Sequence, residues 1–329
     1  MTGRVVHVGQ AIVDLVMSVD EVPAAGQDVF ASSYTLTAGG GFNVMAAARR
    51  DGAEVVYAGA HGTGRFGDIV RAAMADEGVE VVNAAETQLD TGFCVALVDA
   101  AAERTFVSTV GAEGELDVRH LDEAHVREGD VVYVSGYGLY HPGNAAAITS
   151  WLPRVPAEVM VVVDTSPMIA HVPSDVFALV AARADLWTAN EEEACALHTR
   201  LGIATTSDPA GIAAETAVAL DATVVVRVNR AGCWVAAPGT EPVHVPAFEM
   251  VPVDTNGAGD AHTGVLCAGI VAGEPLLEVG RRAAAAAAIA VTRRGPATPP
   301  LRGEIDELVR SAGRAAQPGE GVSIAPARS

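Results

Sequence analysis

Short runs of apolar residues alternate along the chain with longer stretches in which apolar positions recur at helical spacing. Runs such as 159–163 are apolar at every position, which is typical of parallel strands buried on both faces. The predicted strands are Val5–Val8, Glu54–Ala58, Val131–Ser135, Val159–Asp164, Leu186–Thr188 and Val224–Val228. The predicted helices are Asn43–Asp51, Phe66–Glu77, Asn144–Leu152, Ser174–Ala182, Glu191–Leu201 and Pro209–Leu220. This alternation indicates an α/β fold, a layered and mostly parallel sheet with helices on both faces.

Two segments interrupt the alternation. Residues 11–37 contain extended stretches and a turn at Pro23–Gly26 but no helical pattern, and residues 91–110 resemble a hairpin of Gly92–Val98 and Arg104–Val110. Both are interpreted as β additions to the core, either a lid over a ligand cleft or an extension of a sheet edge. The core domain is expected to span residues 1–314, and the Pro/Gly-rich residues 315–329 to form a flexible tail.

Composition and charge exclude several classes of function. The chain has 329 residues, 50% of them hydrophobic, so it can bury a large core. Its formal net charge is −20, and its basic residues occur at most in pairs, so no nucleic-acid partner is expected. All 21 basic residues are arginine, which excludes a Schiff-base lysine and the Walker A lysine.

The distribution of apolar residues also bears on location. The longest uninterrupted apolar run, Ala283–Val291, is much shorter than the ~20 residues that span a bilayer. The first residues lack the pattern of a signal peptide. A cytoplasmic protein with no membrane partner is therefore expected. The four cysteines are scattered, which argues against a disulfide framework or a zinc knuckle.

The strongest local signal is the segment Asp254–Asp260, with the sequence Asp-Thr-Asn-Gly-Ala-Gly-Asp. It follows a stretch expected to be extended, Phe248–Val253, and it opens an apolar helical run. Glycines at a helix start let backbone N–H groups approach an anion, and the helix dipole adds positive potential. Asp260 would then accept a proton from a substrate hydroxyl, with its pKa held down by the helix N-terminus. The alternative is that Asp254 and Asp260 only cap the helix.

A second glycine-rich segment, Ala38–Asn43, leads into a predicted helix. Its three glycines permit a ligand to approach the backbone closely, and Asn43 offers both a donor and an acceptor. Taken in isolation, the segment fits a flexible turn with Asn43 as the helix N-cap better than it fits a binding site.

A carboxylate cluster, Asn190–Glu193, follows the predicted strand Leu186–Thr188. Ligands of α/β sheets bind at the carboxyl ends of the strands. The cluster therefore either holds Mg²⁺ through water or simply complements the positive end of a helix.

A weaker signal is Gly62-x-Gly64-x-x-Gly67, which fits the dinucleotide-binding fingerprint. It does not lie in the first βα unit, where that fingerprint belongs. An NAD-dependent oxidoreductase is therefore kept only as a remote alternative.

Taken in order over about Val5–Pro300, these motifs resemble the PfkB/ribokinase family of carbohydrate and nucleoside kinases. The resemblance implies a ribokinase-like α/β fold with a small β lid, and ATP-dependent phosphoryl transfer to a hydroxyl of a sugar or sugar-like substrate. In that family Asp260 would be the general base, and Gly257, Ala258 and Gly259 would form the anion hole. The acceptor would be bound by Asp14, Gly39, Gly40, Gly41 and Asn43.

The resemblance also implies a nucleotide site and cofactors. ATP and Mg²⁺ are expected, together with a monovalent cation such as K⁺, and Glu193 would reach Mg²⁺ through water. Nucleotide contacts are assigned to Asn190, Arg227, Asn229 and Thr255. A homodimer formed through the β lid is expected. Nucleosides and sugar phosphates remain alternative acceptors, and a catalytically silent sugar-binding relative is a further alternative.

Several positions depart from the family pattern. Arg227 stands where threonine or serine is common, and Asn229 stands where the strand usually ends in glycine. Thr63-Gly64 replaces an acidic pair, and His262 replaces an aromatic residue. Because the chain has no lysine, backbone dipoles, Mg²⁺ and an arginine must supply the positive potential for the transferring charge.

Overall fold

The computed structural model of the protein describes residues 3–101, 103–203 and 208–315. The strands are β1 (Arg4–Val8), β2 (Ala11–Ser18), β3 (Ser33–Gly40), β4 (Glu54–Tyr57), β5 (Glu80–Val81), β6 (Phe93–Val98), β7 (Arg104–Ser108), β8 (Val131–Ser135), β9 (Met160–Asp164), β10 (Leu186–Asn190), β11 (Thr223–Arg227), β12 (Cys233–Ala236) and β13 (Val243–Val245). The α-helices are α1 (Gly41–Arg50), α2 (Arg65–Asp76), α3 (Val118–Asp122), α4 (Gly136–Tyr140), α5 (Pro142–Trp151), α6 (Ser174–Ala181), α7 (Glu191–Arg200), α8 (Pro209–Leu220), α9 (Ala258–Val271), α10 (Leu276–Ala290) and α11 (Arg302–Ala315).

The main sheet has nine strands in the order β13-β12-β11-β10-β9-β8-β1-β4-β5. The pairs from β11 across to β5 are parallel, and β12 and β13 add an antiparallel edge. Neighbouring residues of the central strands face opposite helix layers, so that Val161 and Val163 pack towards α5–α8 and Val162 towards α1, α9 and α10. Both faces of the sheet are covered, which confirms the predicted layered α/β fold and explains the continuous apolar runs.

The six predicted strands are present, with ends shifted by at most two residues. The short strands β5, β12 and β13 were not predicted. The stretch Phe248–Val253, which was expected to be extended, joins neither sheet. Pro252 within it lacks the backbone N–H that a strand contributes to its neighbour.

The two irregular segments form a second, four-stranded sheet in the order β3-β2-β6-β7. Strand β2 pairs antiparallel with β3 and parallel with β6, and β6 and β7 form the expected hairpin. Because this sheet is separate from the main one, it is not an extension of a main-sheet edge. It is called the small sheet below.

Helix α9 packs closely against its two helical neighbours through glycines. A Cβ atom on Gly264 would lie 2.4 Å from the carbonyl oxygen of Val44 in α1 and 2.5 Å from Cβ of Ala47. A Cβ atom on Gly269 would lie 2.7 Å from the side chain of Val279 in α10. The backbones of these helices therefore approach each other too closely for any larger residue at these two positions.

The described part of the chain ends in α11, whose last residue is Ala315. The tail expected at residues 315–329 therefore begins in a helix, and residues 316–329 lie outside the described part. In the ranges 3–101, 103–203 and 208–315, no helix is both long and apolar enough to cross a bilayer.

Candidate active site

The candidate site lies where the carboxyl ends of the parallel strands meet the N-terminus of α9. Asp164, Asn190 and Arg227 are the last residues of the adjacent strands β9, β10 and β11. The segment Asp254–Asp260 comes to the same edge and opens α9. The sheet topology thus brings together motifs that are far apart in the sequence, as expected for an α/β ligand site.

Residues 254–259 at the start of α9, called the anion loop below, have the geometry that a bound anion would need. Gly257 takes a left-handed conformation with φ of 75°, and a Cβ atom there would lie 2.0 Å from the carbonyl oxygen of Pro296, so only glycine fits. This helix start has no side-chain cap. The carboxylate of Asp254 instead accepts the N–H groups of Asn256 at 2.9 Å and Gly295 at 3.0 Å. The alternative that the two aspartates merely cap the helix is therefore wrong.

Asp260 lies in the first turn of α9 and is held from across the cleft. Its Oδ2 accepts a hydrogen bond of 3.0 Å from Nδ2 of Asn43 in α1. Burial raises the pKa of Asp260 to about 6, against the lowering effect of the Asn43 hydrogen bond. The expectation that the helix N-terminus holds this pKa down is wrong, because desolvation outweighs the helix dipole here. A carboxyl group with this pKa suits a general base that works near neutral pH.

Asp14 in β2 faces the same space. A Cβ atom on Gly39 would lie 2.0 Å from its Oδ2, so the glycine leaves room for this carboxylate. Burial first, and then the charge of Asp260, raise the pKa of Asp14 to about 7. The carbonyl oxygen Oδ1 of Asn43 is buried without a hydrogen-bond partner in the described part of the protein. Two carboxyl groups and an unpaired amide oxygen therefore converge, as a site for hydroxyl donors requires.

The remaining glycines of this segment shape the turn into α1. Gly40 has φ of 60° and precedes the helix. A Cβ atom on Gly41 would lie 2.2 Å from Nε2 of the buried His7, so the backbone must run directly over this ring. Asn43 follows in the first turn of α1 rather than at the N-cap position, which Gly40 occupies. The interpretation of Asn43 as an N-cap is therefore wrong.

Asn190 and Glu193 form a capping box at the start of α7. Asn190 accepts the N–H of Glu193 at 2.9 Å, and Oε2 of Glu193 accepts the N–H of Asn190 at 2.9 Å. The same Oε2 also accepts a hydrogen bond of 3.1 Å from the hydroxyl of Thr165. Burial and the charge of Asp164 raise the pKa of Glu193, against Arg227. Glu193 therefore stabilises the start of α7, as the capping alternative expected. Its other oxygen, Oε1, makes no hydrogen bond to the residues described.

Arg227 points into the protein rather than into open solvent. Its guanidinium bonds to Asp164 at 3.1 Å, Thr188 at 2.7 Å and Thr263 at 3.0 Å, and it lies 3.5 Å from Glu193. Its side chain is 14% exposed. A contact with nucleotide, as assigned from the sequence, is therefore restricted to the edge of the guanidinium that these partners leave open.

Asn229 keeps the backbone shape that glycine would give. It has φ of 49°, in the left-handed region where asparagine is among the best tolerated residues after glycine. Gly232 follows with φ of 102°, and a Cβ atom there would lie 2.1 Å from the carbonyl oxygen of Val245. The departure at Asn229 therefore preserves the turn and adds an amide side chain.

Two residues of the cleft were not identified from the sequence. Arg104 in β7 forms an ion pair with Asp254 and lies 3.4 Å from the hydroxyl of Thr255, so the small sheet is tied to the anion loop. Tyr137 follows β8 and is 43% exposed. Burial and the nearby Glu193 raise the pKa of its hydroxyl to about 12. Tyr137 could have been identified as a site residue because it lies just beyond the end of a predicted strand. No pattern in the local sequence indicates a role for Arg104.

The glycines Gly62, Gly64 and Gly67 serve a different purpose from dinucleotide binding. Asp90 accepts the N–H groups of Phe66 at 3.1 Å and Gly67 at 2.8 Å. A carboxylate of the protein itself therefore fills the start of α2, where a pyrophosphate would bind. This arrangement leaves no support for the oxidoreductase alternative.

Comparison with known proteins places this site in a family. The pfkB family carbohydrate kinase profile matches residues 2–302. The uncharacterised sugar kinase YegV of Escherichia coli is 31% identical over 303 residues, covering 92% of each chain. The adenosine kinase of Saccharomyces cerevisiae is 27% identical over 256 residues, covering 75% of this chain and 74% of that one. The structure of Arabidopsis thaliana ribokinase with ribose and ATP superposes with a TM-score of 0.74 at 22% identity, over 94% of this chain and 99% of that one.

The chain therefore belongs to the pfkB family of carbohydrate kinases, and it has the ribokinase fold. The resemblance inferred from the motifs is confirmed, as is the assignment of the protein to the kinases.

Proposed function

We propose that the protein transfers the γ-phosphoryl group of ATP to a hydroxyl, preferably a primary one, of a neutral sugar or sugar-like polyol. The observation that carries this proposal is the position of Asp260. It lies beside the uncapped start of α9, bonded to Asn43, and its pKa is raised to about 6. An amide that can bind the acceptor, a carboxylate that can act as base and the anion loop thereby lie next to one another.

In the reaction, Asp260 accepts the proton of the attacking hydroxyl. Asn43 and Asp14 bind further hydroxyls and so align the acceptor. The backbone N–H groups around Gly257–Gly259 stabilise the negative charge on the transferring oxygens. Catalysis in this scheme comes from positioning and electrostatics, since phosphoryl transfer requires little covalent chemistry from the protein.

Mg²⁺ would enter with the nucleotide and neutralise its phosphate charge. In the described residues no group of three or more His, Cys, Asp or Glu side chains is arranged to hold a metal. The free Oε1 of Glu193 fits a water-mediated contact of the kind that Mg²⁺ uses when phosphates supply its direct ligands. Asn190 and Asn229 would contact the nucleotide at the strand ends, with Thr255 on the anion loop. A requirement for K⁺ is tested by measuring activity after K⁺ in the assay buffer is replaced with tetramethylammonium.

The electrostatics of the acceptor site favour an uncharged acceptor. Asp14 and Asp260 both face this space, and each carboxylate increases the free-energy cost of bringing in a further negative charge. The nearest arginine of the small sheet, Arg104, is already paired with Asp254. A sugar phosphate is therefore disfavoured, while a nucleoside, which is neutral, remains the second candidate.

The test is a screen for acceptor-dependent ADP formation over neutral sugars and polyols, nucleosides and sugar phosphates. We expect turnover with at least one neutral sugar or polyol, and little with sugar phosphates. Turnover confined to nucleosides would reassign the acceptor, and turnover confined to sugar phosphates would contradict the electrostatic argument. The absence of phosphoryl transfer to every acceptor would support a silent sugar-binding relative instead.

We also propose that the small sheet is a lid and that it forms a homodimer interface. Several large apolar side chains in or next to the strands of the small sheet are exposed. Phe30 is 93% exposed and Tyr34 is 71% exposed, and Phe106, Val107 and Val110 are exposed as well. Strands β3 and β7 are the edges of the small sheet, and an exposed edge with apolar side chains favours pairing with another copy. Light scattering during size exclusion should show a dimer that Phe106→Glu dissociates. A monomeric wild-type protein would contradict the interface.

We place the enzyme in the cytoplasm, where ATP is available to it. Fractionation of the source cells with an antibody tests this assignment. Recovery in a secreted or membrane fraction would contradict it.

A further inference from the structure

The guanidinium of Arg227 joins three neighbouring strand ends and a helix. Its Nη1 atom donates to Asp164 in β9, Thr188 in β10 and Thr263 in α9. Thr263 in turn donates to Oδ2 of Asp164 at 3.1 Å. Because α9 also carries Asp260, one nitrogen of Arg227 ties the sheet edge to the helix on which the base lies.

The other edge of the same guanidinium is not saturated. Nη2 has only the 3.5 Å contact with Glu193, and Nε makes no hydrogen bond to a described residue. This edge lies beside the anion loop, since a Cβ atom on Gly259 would be 3.8 Å from Nη2 and 3.9 Å from Nε. Two N–H groups of arginine in this arrangement match the oxygens of a phosphoryl group in geometry and charge.

The balance of charge at this point needs a cation. Asp164, Glu193 and Asp260 are three carboxyl groups within electrostatic reach of Arg227, and they raise its pKa against the cost of its burial. A threonine or serine at position 227 would leave these carboxyl groups without this cation next to the incoming phosphates. Buried charges without a partner are costly, and like charges repel a polyanion.

We propose that Arg227 is a positioning residue for phosphoryl transfer, which fixes Asp164, Glu193 and the start of α9 and supplies a permanent positive charge beside the anion hole. The inference rests on the proposed function. It also accounts for the source of fixed cationic charge at this site in a chain without lysine.

The main test compares Arg227→Met with a matched control, Arg282→Met. Arg282 is equally buried, with 12% of its side chain exposed, and it pairs with Asp51 and Asp306 away from the site. Both variants are expected to lose thermal stability. We expect only Arg227→Met to lower kcat, by about 10–100-fold, and to weaken ATP binding in calorimetry, because only this variant removes charge next to the anion hole.

The pH profile separates positioning from a merely structural role. The charged groups that shift the pKa of Asp260 are Asp164 and Arg227, and Asp260 in turn raises the pKa of Asp14, Tyr133 and Tyr137. Arg227 is the cation in this set, so its loss should move the acidic limb of kcat/KM to higher pH. Arg227→Lys keeps the charge and should restore the position of the limb, although not the full rate, because it lacks the forked geometry.

A second variant covers the case in which Arg227→Met does not fold. The pair Asp164→Asn with Arg227→Met removes one carboxylate together with the cation, and so reduces the unpaired charge. We expect this double variant to fold and to keep the low kcat. Wild-type kcat, ATP affinity and acidic limb in either folded variant would overturn the inference. Because wild-type turnover is measured in the same assay, this failure differs from a wild-type protein that transfers no phosphate.

Discussion

At the residue scale, the site combines two carboxyl groups whose environments differ. Asp260 lies at a helix start with an amide donor, and its pKa is about 6. Asp14 has no comparable donor among the described residues, and its pKa is about 7. Two carboxyl groups with different pKa values suit different tasks. Asp260 suits the role of the base, and Asp14 that of a group that can either donate or accept a hydrogen bond.

The first prediction concerns Asp260→Asn. The amide keeps the shape of the side chain but cannot accept a proton, so kcat should fall about 10²–10⁴-fold. ATP binding should be retained or slightly tighter, because a negative charge near the phosphates is removed. Turnover and nucleotide affinity are measured on the same preparation. A folded variant with more than about a tenth of the wild-type kcat would exclude Asp260 as the base.

The second prediction concerns the pH dependence of the reaction. A base with a pKa of about 6 is active when ionised, so kcat/KM should fall as pH decreases through about 6. Burial and the charge of Asp260 raise the pKa of Asp14 to about 7, so Asp14 is mostly protonated where Asp260 titrates. Asp14→Asn should therefore leave the acidic limb near pH 6. A limb that moves by about a full pH unit or more in this variant would assign the limb to Asp14 instead of Asp260.

The third prediction concerns Glu193→Gln. The change keeps the volume and removes the charge next to the proposed metal water, so the Mg²⁺ concentration for half-maximal activity should rise by about 10-fold. Glu192→Gln, an exposed carboxylate in the same first turn of α7, is the matched control and should leave the Mg²⁺ response unchanged. An equal response in both variants would limit Glu193 to its capping role.

At the element scale, Arg104 connects the small sheet to the anion loop through an ion pair with Asp254 and a hydrogen bond to Thr255. Arg104 belongs to β7, and Asp254 anchors the loop through the N–H groups of Asn256 and Gly295. Movement of the hairpin would therefore act directly on the segment that is proposed to bind the phosphates. The sequence indicated that β6 and β7 form a hairpin, but it gave no sign of this bridge across 150 residues, since only the fold brings the two partners together.

The fourth prediction follows from this bridge. Arg104→Gln should raise the acceptor KM several-fold and lower kcat, because the proposed lid would lose its contact with the loop. Thermal unfolding should change little, since Arg104 is a partly exposed residue of an edge strand. Arg119→Gln, in an exposed pair with Asp117, is the control. Unchanged acceptor kinetics would show that the pair is incidental.

At the scale of the whole molecule, apolar runs and turns predicted the main sheet and its helix layers correctly. Strands buried on both faces leave a strong local signal, such as 159–163. The parallel pairing of β2 with β6 was not predictable, because it joins segments about 80 residues apart whose partners are set by tertiary packing. The motif at Asp260 could be recognised because its residues are contiguous in the sequence. The contacts of Arg227 could not be predicted, because they involve four separate elements.

The fifth prediction concerns stability as a function of pH. The folded-state pKa of Asp14, about 7, exceeds its ordinary value of 3.8, so the folded state binds more protons and this group loses stabilising effect as pH rises through that window. The buried His7 and His262, each with a pKa of about 3, act in the opposite direction. The free energy of unfolding of Asp14→Asn is therefore compared with wild type at each pH.

The two proteins should be nearly equally stable near pH 4, apart from a constant offset. The advantage of the variant should then grow by an amount on the order of 2 kcal/mol towards pH 8, after allowance for partial solvent screening. Denaturant unfolding at a series of pH values measures this change. A difference that is constant with pH would contradict the raised pKa of Asp14.

The close packing of α9 through Gly264 and Gly269 has a consequence for entropy and for the timing of catalysis. Asp260, the proposed base, lies on a helix whose backbone touches that of α1, so little conformational freedom remains to be lost there when substrates bind. The ordering cost of binding should fall on the small sheet instead. Amide hydrogen exchange in α9 should be slow with and without ligands, while exchange in β6 and β7 should slow down on acceptor binding, so lid closure would set the pace of the cycle.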